Sequence, residues 1–198
     1  MQQTWKKIIA GNCDAIETEV LGFSFRDRNL LIRALLRKAA YKDKDLPTEY
    51  YQNGHQIGLD TFGDKVLDFA VYDHVMDIFL KCKNENKENL AASINGYREW
   101  YSKNEILEEF ALHNIKSYDY VIWGIDEYNK KIWKQSSTKM LADCFEALVG
   151  AVYKDQGMPG VKCLLENTGY FEKIDLVHYQ KGQKKSDFQI IEAEEISR

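Results

Sequence analysis

LDTFGDKVLDF, residues 59–69, carries Leu59, Phe62, Val66 and Phe69 at steps of three and four, which is the spacing of one helical face. Asp60 and Asp64 lie four apart in the same stretch, so they project from a common face one turn apart. Like charges at that spacing cost a few tenths (~0.2–0.5) of a kcal/mol in an isolated helix. Either the two carboxylates lie on a solvated surface, or a cation belongs between them.

The same reading extends outward. Before this stretch, Trp5, Ile8, Ile9, Cys13, Ile16 and Val20 give a first helix over Thr4–Leu21, ended by Gly22. Asp27 offers a cap for a second helix carrying Leu30, Leu31, Ala34 and Leu35. YKDKDLPTEYYQNGHQ, 41–56, is polar, holds Pro47 and an Asn-Gly pair, and reads as a loop. The quoted stretch then opens a long helix over 58–80. Shorter helices follow at 88–101 and 104–112, the second with Asn104 as its expected cap. Residues 113–135 are irregular, and Tyr118, Tyr120, Val121, Ile122 and Trp123 allow a short extended piece. KMLADCFEALVGAVY, 139–153, is helical again, with caps expected among 136–138. A last helix starts near Pro159, since proline suits the first helical turn.

Composition agrees with this all-α pattern. The 198 residues are 44% hydrophobic, enough for a substantial core, and contain only two prolines and 12 glycines. A net charge of −4 argues against a uniformly basic nucleic-acid binder, although clustered metal-binding carboxylates would account for all of it. Cys13, Cys82, Cys144 and Cys163 form no CxxC pair, which disfavours a zinc site or a disulfide framework and suits a reducing compartment. His55, His74, His113 and His178 fit no ligand spacing. The N-terminus lacks the apolar run of a signal peptide, and no stretch is apolar for the ~18 residues a membrane span needs. An intracellular protein with no membrane contact is the expectation.

The 139–153 helix repeats the oddity of the quoted stretch. Asp143 and Glu146 lie three apart within an apolar run of Met140, Leu141, Phe145, Leu148 and Val149. Each acid pair also has a glycine nearby, Gly63 and Gly150, that permits close packing. If the two helices cross at these points, four carboxylates converge. Hard oxygen ligands gathered in this way suit Mg²⁺, with Mn²⁺ as a substitute, and do not suit zinc.

These residues carry a family resemblance. LDTFGDKVLDF resembles the ribonuclease III signature, close to ERLEFLGDAVL, and KMLADCFEALVGAVY is similar to that family's second motif, close to ILADAFEALIGAIY. LGFSFRDRNLLIRAL at 21–35 and YREWYSKNEIL at 97–107 resemble two further segments, so the likeness spans about residues 4–169. The resemblance implies the all-α ribonuclease III endonuclease fold over 1–169, with 170–198 as a C-terminal tail. It puts the four acidic positions on Asp60, Asp64, Asp143 and Glu146, as both catalytic residues and metal ligands, with Asp64 and Glu146 as the core ligands. Lys139 matches a basic residue before the second motif and is a candidate for holding phosphate.

The chain also departs from the family pattern. The first acid is usually glutamate, and Asp60 is shorter by one methylene. The glutamate–arginine pair that usually opens the signature is Ile57–Gly58. Thr61 stands where the family has a bulky residue that enters the partner subunit, and Leu36, Arg37, Lys38 and Ala39 replace a threonine–histidine–arginine–serine stretch.

The implied function is an endoribonuclease that cleaves double-stranded RNA by two-metal-ion hydrolysis. It would act as a homodimer and leave 5′-phosphate and 3′-hydroxyl ends with short 3′ overhangs. Family members usually carry a double-stranded-RNA-binding domain after the nuclease domain, and the 29 residues after Gly169 are too few for one. RNA contacts are then expected from Lys130, Lys131 and Lys134 of NKKIWK, with Trp133 between them, from QKGQKK at 180–185, or from a separate RNA-binding partner protein. Two other readings compete. One is a non-catalytic RNA-binding or assembly module on the same fold, against which the four retained acids argue. The other is a different all-α metal phosphohydrolase, against which the second motif argues.

Overall fold

The computed structural model describes residues 2–42, 46–51, 54–81, 90–135 and 139–174. The expected loop pair Asn53–Gly54 therefore falls partly outside the described residues. Cys82, the caps expected at 136–138, His178 and the lysines of 180–185 fall wholly outside them. Among the described residues the fold is helical, with no strand beyond one isolated bridge.

Helix α1, Gln2–Ile16, buries Trp5, Ile9, Cys13 and Ile16 on one face and runs on as a wider π-helical turn, Glu17–Leu21. Gly22 ends it at φ 70°, a left-handed conformation that glycine adopts without a Cβ penalty. The buried Glu17 accepts from the Phe25 amide at 2.9 Å and pairs with Arg28, whose guanidinium also reaches Asp14. Asp27 caps α2, Arg28–Leu35, as its position suggests: its side chain accepts from the Asn29 amide at 3.0 Å. The polar 41–56 region is a connection that contains one helical turn, α4 (Thr48–Tyr51), preceded by another, α3 (Lys38–Tyr41).

Two long helices make the centre. Helix α5, Leu59–Lys81, buries Leu59, Val66, Leu67, Ala70, Val71 and Val75. Helix α9, Met140–Thr168, is apolar nearly all round between Leu141 and Val152, as a helix surrounded by others must be. It breaks at Gly157 (φ 71°, ψ −165°), just before Pro159, so the two expected helices run on from one another across a kink. The packed part continues past Gly169. Tyr170 is fully buried, donates its hydroxyl to the Tyr101 carbonyl at 2.7 Å and sits against Phe110 and Phe145, and Ile174 is buried as well.

Between these helices lie α6 (Leu90–Tyr101) and α7 (Asn104–Phe110). The expected Asn104 cap is not formed. Lys103, extended at φ −70° and ψ 126°, occupies the capping position, and Asn104 is already helical. The extended piece expected near 118–123 reduces to a single parallel bridge between Leu36 and Ile122. Ile122 donates to the Leu35 carbonyl at 2.8 Å, and Arg37 donates to the Ile122 carbonyl at 3.1 Å. The rest of that region is 3₁₀ turns at Ser117–Asp119 and Ile132–Lys134 around the short helix α8, Ile125–Asn129. Cys13 and Cys144 are buried free thiols in the core, where small apolar side chains belong, and burial pushes each up to about 12.

Candidate active site

The site is built by the crossing of α5 and α9. A Cβ added at Gly63 would stand 1.7 Å from the Glu146 carbonyl oxygen, and one at Gly150 would stand 2.5 Å from the Leu59 carbonyl oxygen. Only glycine at both positions lets the two backbones touch. That contact brings the first turns of α5, with Asp60 and Asp64, beside the first two turns of α9, with Asp143 and Glu146.

The electrostatics reflect this proximity. Glu146 is only 7% exposed, and its carboxyl is pushed up from 4.5 to about 7 by burial, then by the negative charges of Asp64 and Asp143 and, more weakly, of Asp60. Lys139 opposes the rise. No hydrogen bond or ion pair joins the Glu146 carboxylate to another side chain among the described residues. Asp143 is also raised, chiefly by burial, although the Lys139 ammonium 3.2 Å away pulls it down. The four acids singled out by spacing therefore share one electrostatic neighbourhood.

Their side chains do not all aim at one point. Asp60 turns back to cap its own helix: its Oδ1 accepts from the Gly58 amide at 2.8 Å and from the Thr61 amide at 2.6 Å. Asp64 pairs with Lys65 at 2.7 Å, and Asp143 pairs with Lys139. Among the described residues no three of His, Cys, Asp or Glu stand at metal-ligating geometry. The donor set still fits a hard divalent cation. It consists only of carboxylates, and its most buried member is destabilised as an anion by the others, a cost that a cation relieves. Asp64 and Asp143 are paired with exposed lysines, whose ammonium groups a cation can displace, and only one oxygen of Asp60 is taken up by amides.

Other residues hold this face in place. Glu108 of α7 accepts from the Leu141 and Ala142 amides at 2.8 and 2.9 Å. Sequence spacing gives no sign of this, because the partners are 33 and 34 residues apart and Glu108 reads as one acid among several in NEILEEF. Arg37, in one of the stretches that departs from the family pattern, pairs with Glu127 at 3.0 Å, lies over the Trp123 ring and lowers the carboxyl of Asp143.

The expected RNA-binding residues divide. Lys139 stands at the acidic face through its pair with Asp143. Lys130, Lys131 and Lys134 are exposed, but Trp133 is not a stacking surface between them. It is 8% exposed, lying parallel to Tyr118 at 6.0 Å and against Trp123 at 4.8 Å. Lys131 and Lys134 instead rim an aromatic groove of about 1090 Å³ lined by Trp5, Tyr118, Trp123 and Tyr128.

Among the described residues the fold is helical, and two acid-bearing helices cross at paired glycines. Residues 58–157 match the Ribonuclease III domain family model, and the chain belongs to that family. It is 28% identical over 145 residues to Ribonuclease 3 of Chloroflexus aurantiacus, covering 73% of this chain and 54% of that protein. It is 27% identical over 147 residues to Ribonuclease 3 of Nitrosococcus oceani, covering 74% and 54%. The chain thus spans about half the length of these curated relatives. Two solved structures of the nuclease domain of ribonuclease III from Campylobacter jejuni share the fold, with TM-scores of 0.58 and 0.57 at 23% and 21% identity. They cover 78% and 87% of this chain and are themselves covered to 96% and 97%. One of them is described as flexible in a region involved in dimer formation.

Proposed function

We propose that this chain is a metal-dependent endoribonuclease that cleaves double-stranded RNA. The observation that carries the reading is the backbone contact at Gly63 and Gly150, which gathers Asp60, Asp64, Asp143 and Glu146 into one electrostatic unit. Asp64 and Glu146 would be the core holders of Mg²⁺, with Asp60 and Asp143 completing the set. Mg²⁺ bound there supplies an activated water and stabilises the charge on the leaving 3′-oxygen.

The chain's own residues do the rest. Burial of Glu146 shields its carboxylate from water, so the neighbouring charges act on it more strongly than they would at the surface. Lys139, free to leave Asp143 once a cation neutralises that carboxylate, is in position to contact a phosphate oxygen. Lys130, Lys131 and Lys134 add exposed positive charge for the RNA backbone, worth more at low salt. Cleavage of both strands with short 3′ overhangs requires two copies of the site related by a two-fold axis, hence a homodimer.

The test is incubation of the purified chain with a long RNA duplex in Mg²⁺, in Mn²⁺ and in EDTA. Cleavage with either metal, its loss in EDTA and its absence in Glu146→Gln are expected, with duplex binding retained in that variant. An E146Q protein cutting at the wild-type rate overturns the assignment.

A further inference from the structure

We infer that Glu108 is a positioning residue for the acidic face of α9. It fixes the helix start in the register that presents Asp143 and Glu146 together. This rests on the metal-dependent reading above.

The first turn of a helix has amides with no intrahelical acceptor. In α9 the capping position is Lys139, whose side chain supplies none. Leu141 and Ala142 are fully buried, so water does not satisfy their amides, and an unmet buried amide is costly. One carboxylate oxygen of Glu108 meets both, at 2.8 and 2.9 Å, and its negative charge faces the positive end of the helix dipole.

Glu108 is itself held. Its helix buries Ile106, Leu107 and Phe110, and the Phe110 ring meets Phe145 edge-on at 5.5 Å. Helix α7 therefore grips α9 at two points, the Leu141–Ala142 amides and the Phe145 ring, and Asp143 lies between them. Glu146 follows Phe145 directly. A shift of the first turn would move both acids relative to Asp64, with no change in any ligand.

Mn²⁺ binding to the full chain, followed by electron paramagnetic resonance without RNA, tests this apart from cleavage. Glu108→Ala should weaken Mn²⁺ binding by about tenfold or more, the range for residues that orient metal ligands. Glu108→Gln keeps an acceptor oxygen at the same reach and should retain most of the affinity. Glu108→Asp, one methylene short, should resemble the alanine variant and serves in its place if E108A does not fold. Circular dichroism checks that each variant is folded at the binding temperature. A folded E108A or E108D protein that binds Mn²⁺ like wild type overturns the role of Glu108, as does an E108Q protein as impaired as E108D. Absence of Mn²⁺ binding in the wild type overturns the metal reading itself, and the role of Glu108 with it.

Discussion

At Glu146 burial and the neighbouring carboxylates both oppose ionisation and outweigh the pull of Lys139. The folded protein holds its proton up to about pH 7, whereas the unfolded chain releases it near 4.5. Between those values the folded state binds the extra proton, so this residue's contribution to stability is fully present below about 4.5 and is lost as pH rises through about 7. Above that the ionised carboxylate strains the metal-free fold. Glu146→Gln imitates the protonated form. In EDTA at about pH 8 it should be more stable than wild type by about 1–3 kcal/mol, and the difference should vanish near pH 4.5. Thermal melts of both proteins across that range decide it, and curves that coincide at about pH 8 would refute the repulsion. Asp60 resolves its own charge differently. Being short, it reaches the Gly58 and Thr61 amides and stabilises the start of α5, a use of the carboxylate that spacing alone does not reveal.

At the scale of elements, the helix crossing is the device. Its two glycines are not turn residues. They sit inside α5 and α9, where glycine is destabilising by roughly 0.5–1 kcal/mol relative to alanine, and what they allow is backbone contact. Gly63→Ala puts a methyl group against the Glu146 carbonyl, and no side-chain rotation relieves it because the obstacle is backbone. We expect a loss of more than about 3 kcal/mol, at the severe end for a single substitution, together with loss of cleavage. Chemical denaturation measures the first, and a G63A protein of wild-type stability would mean that the helices do not touch there. The ingredients of this crossing were legible in the sequence, because helical period, paired acids and small residues are local patterns; the contact itself, between residues more than 80 apart, entered only as a condition. The long helix α5, the first half of α9, the Gly22 stop and the Asp27 cap were legible for the same reason. The capping of α9 by Glu108 was not, since it joins residues 33 and 34 apart, nor was the burial of Trp133, which depends on Tyr118 and Trp123 folding back over it. Residues 113–135 read as irregular, and they are: the extended piece their aromatic run allows comes down to one bridge, with 3₁₀ turns and the short helix α8 around it.

For the whole molecule, the question is what covers the outer side of α5. Phe69 is 57% exposed, Thr61 is exposed, and Phe62 is half-covered by Tyr153 of the same chain, their rings meeting edge-on at 5.6 Å. An isolated aromatic on a surface means little, but Phe69 and Phe62 lie on the helix that carries two of the four acids, so a second copy docking there would bring two carboxylate sites into one assembly. Thr61 buries less area in such a contact than a large aromatic would. At roughly 25 cal/mol per Å² the difference is about 2 kcal/mol per subunit, which makes the expected dimer weaker than one with an aromatic there. Sedimentation should therefore detect concentration-dependent dimers, and Thr61→Phe should tighten them. Phe69→Glu should shift the protein to monomer and abolish paired cuts while leaving the helix content unchanged. A protein that stays monomeric at every concentration and still releases staggered duplex ends would show that one copy makes both cuts, and the exposed face of α5 would then need another occupant.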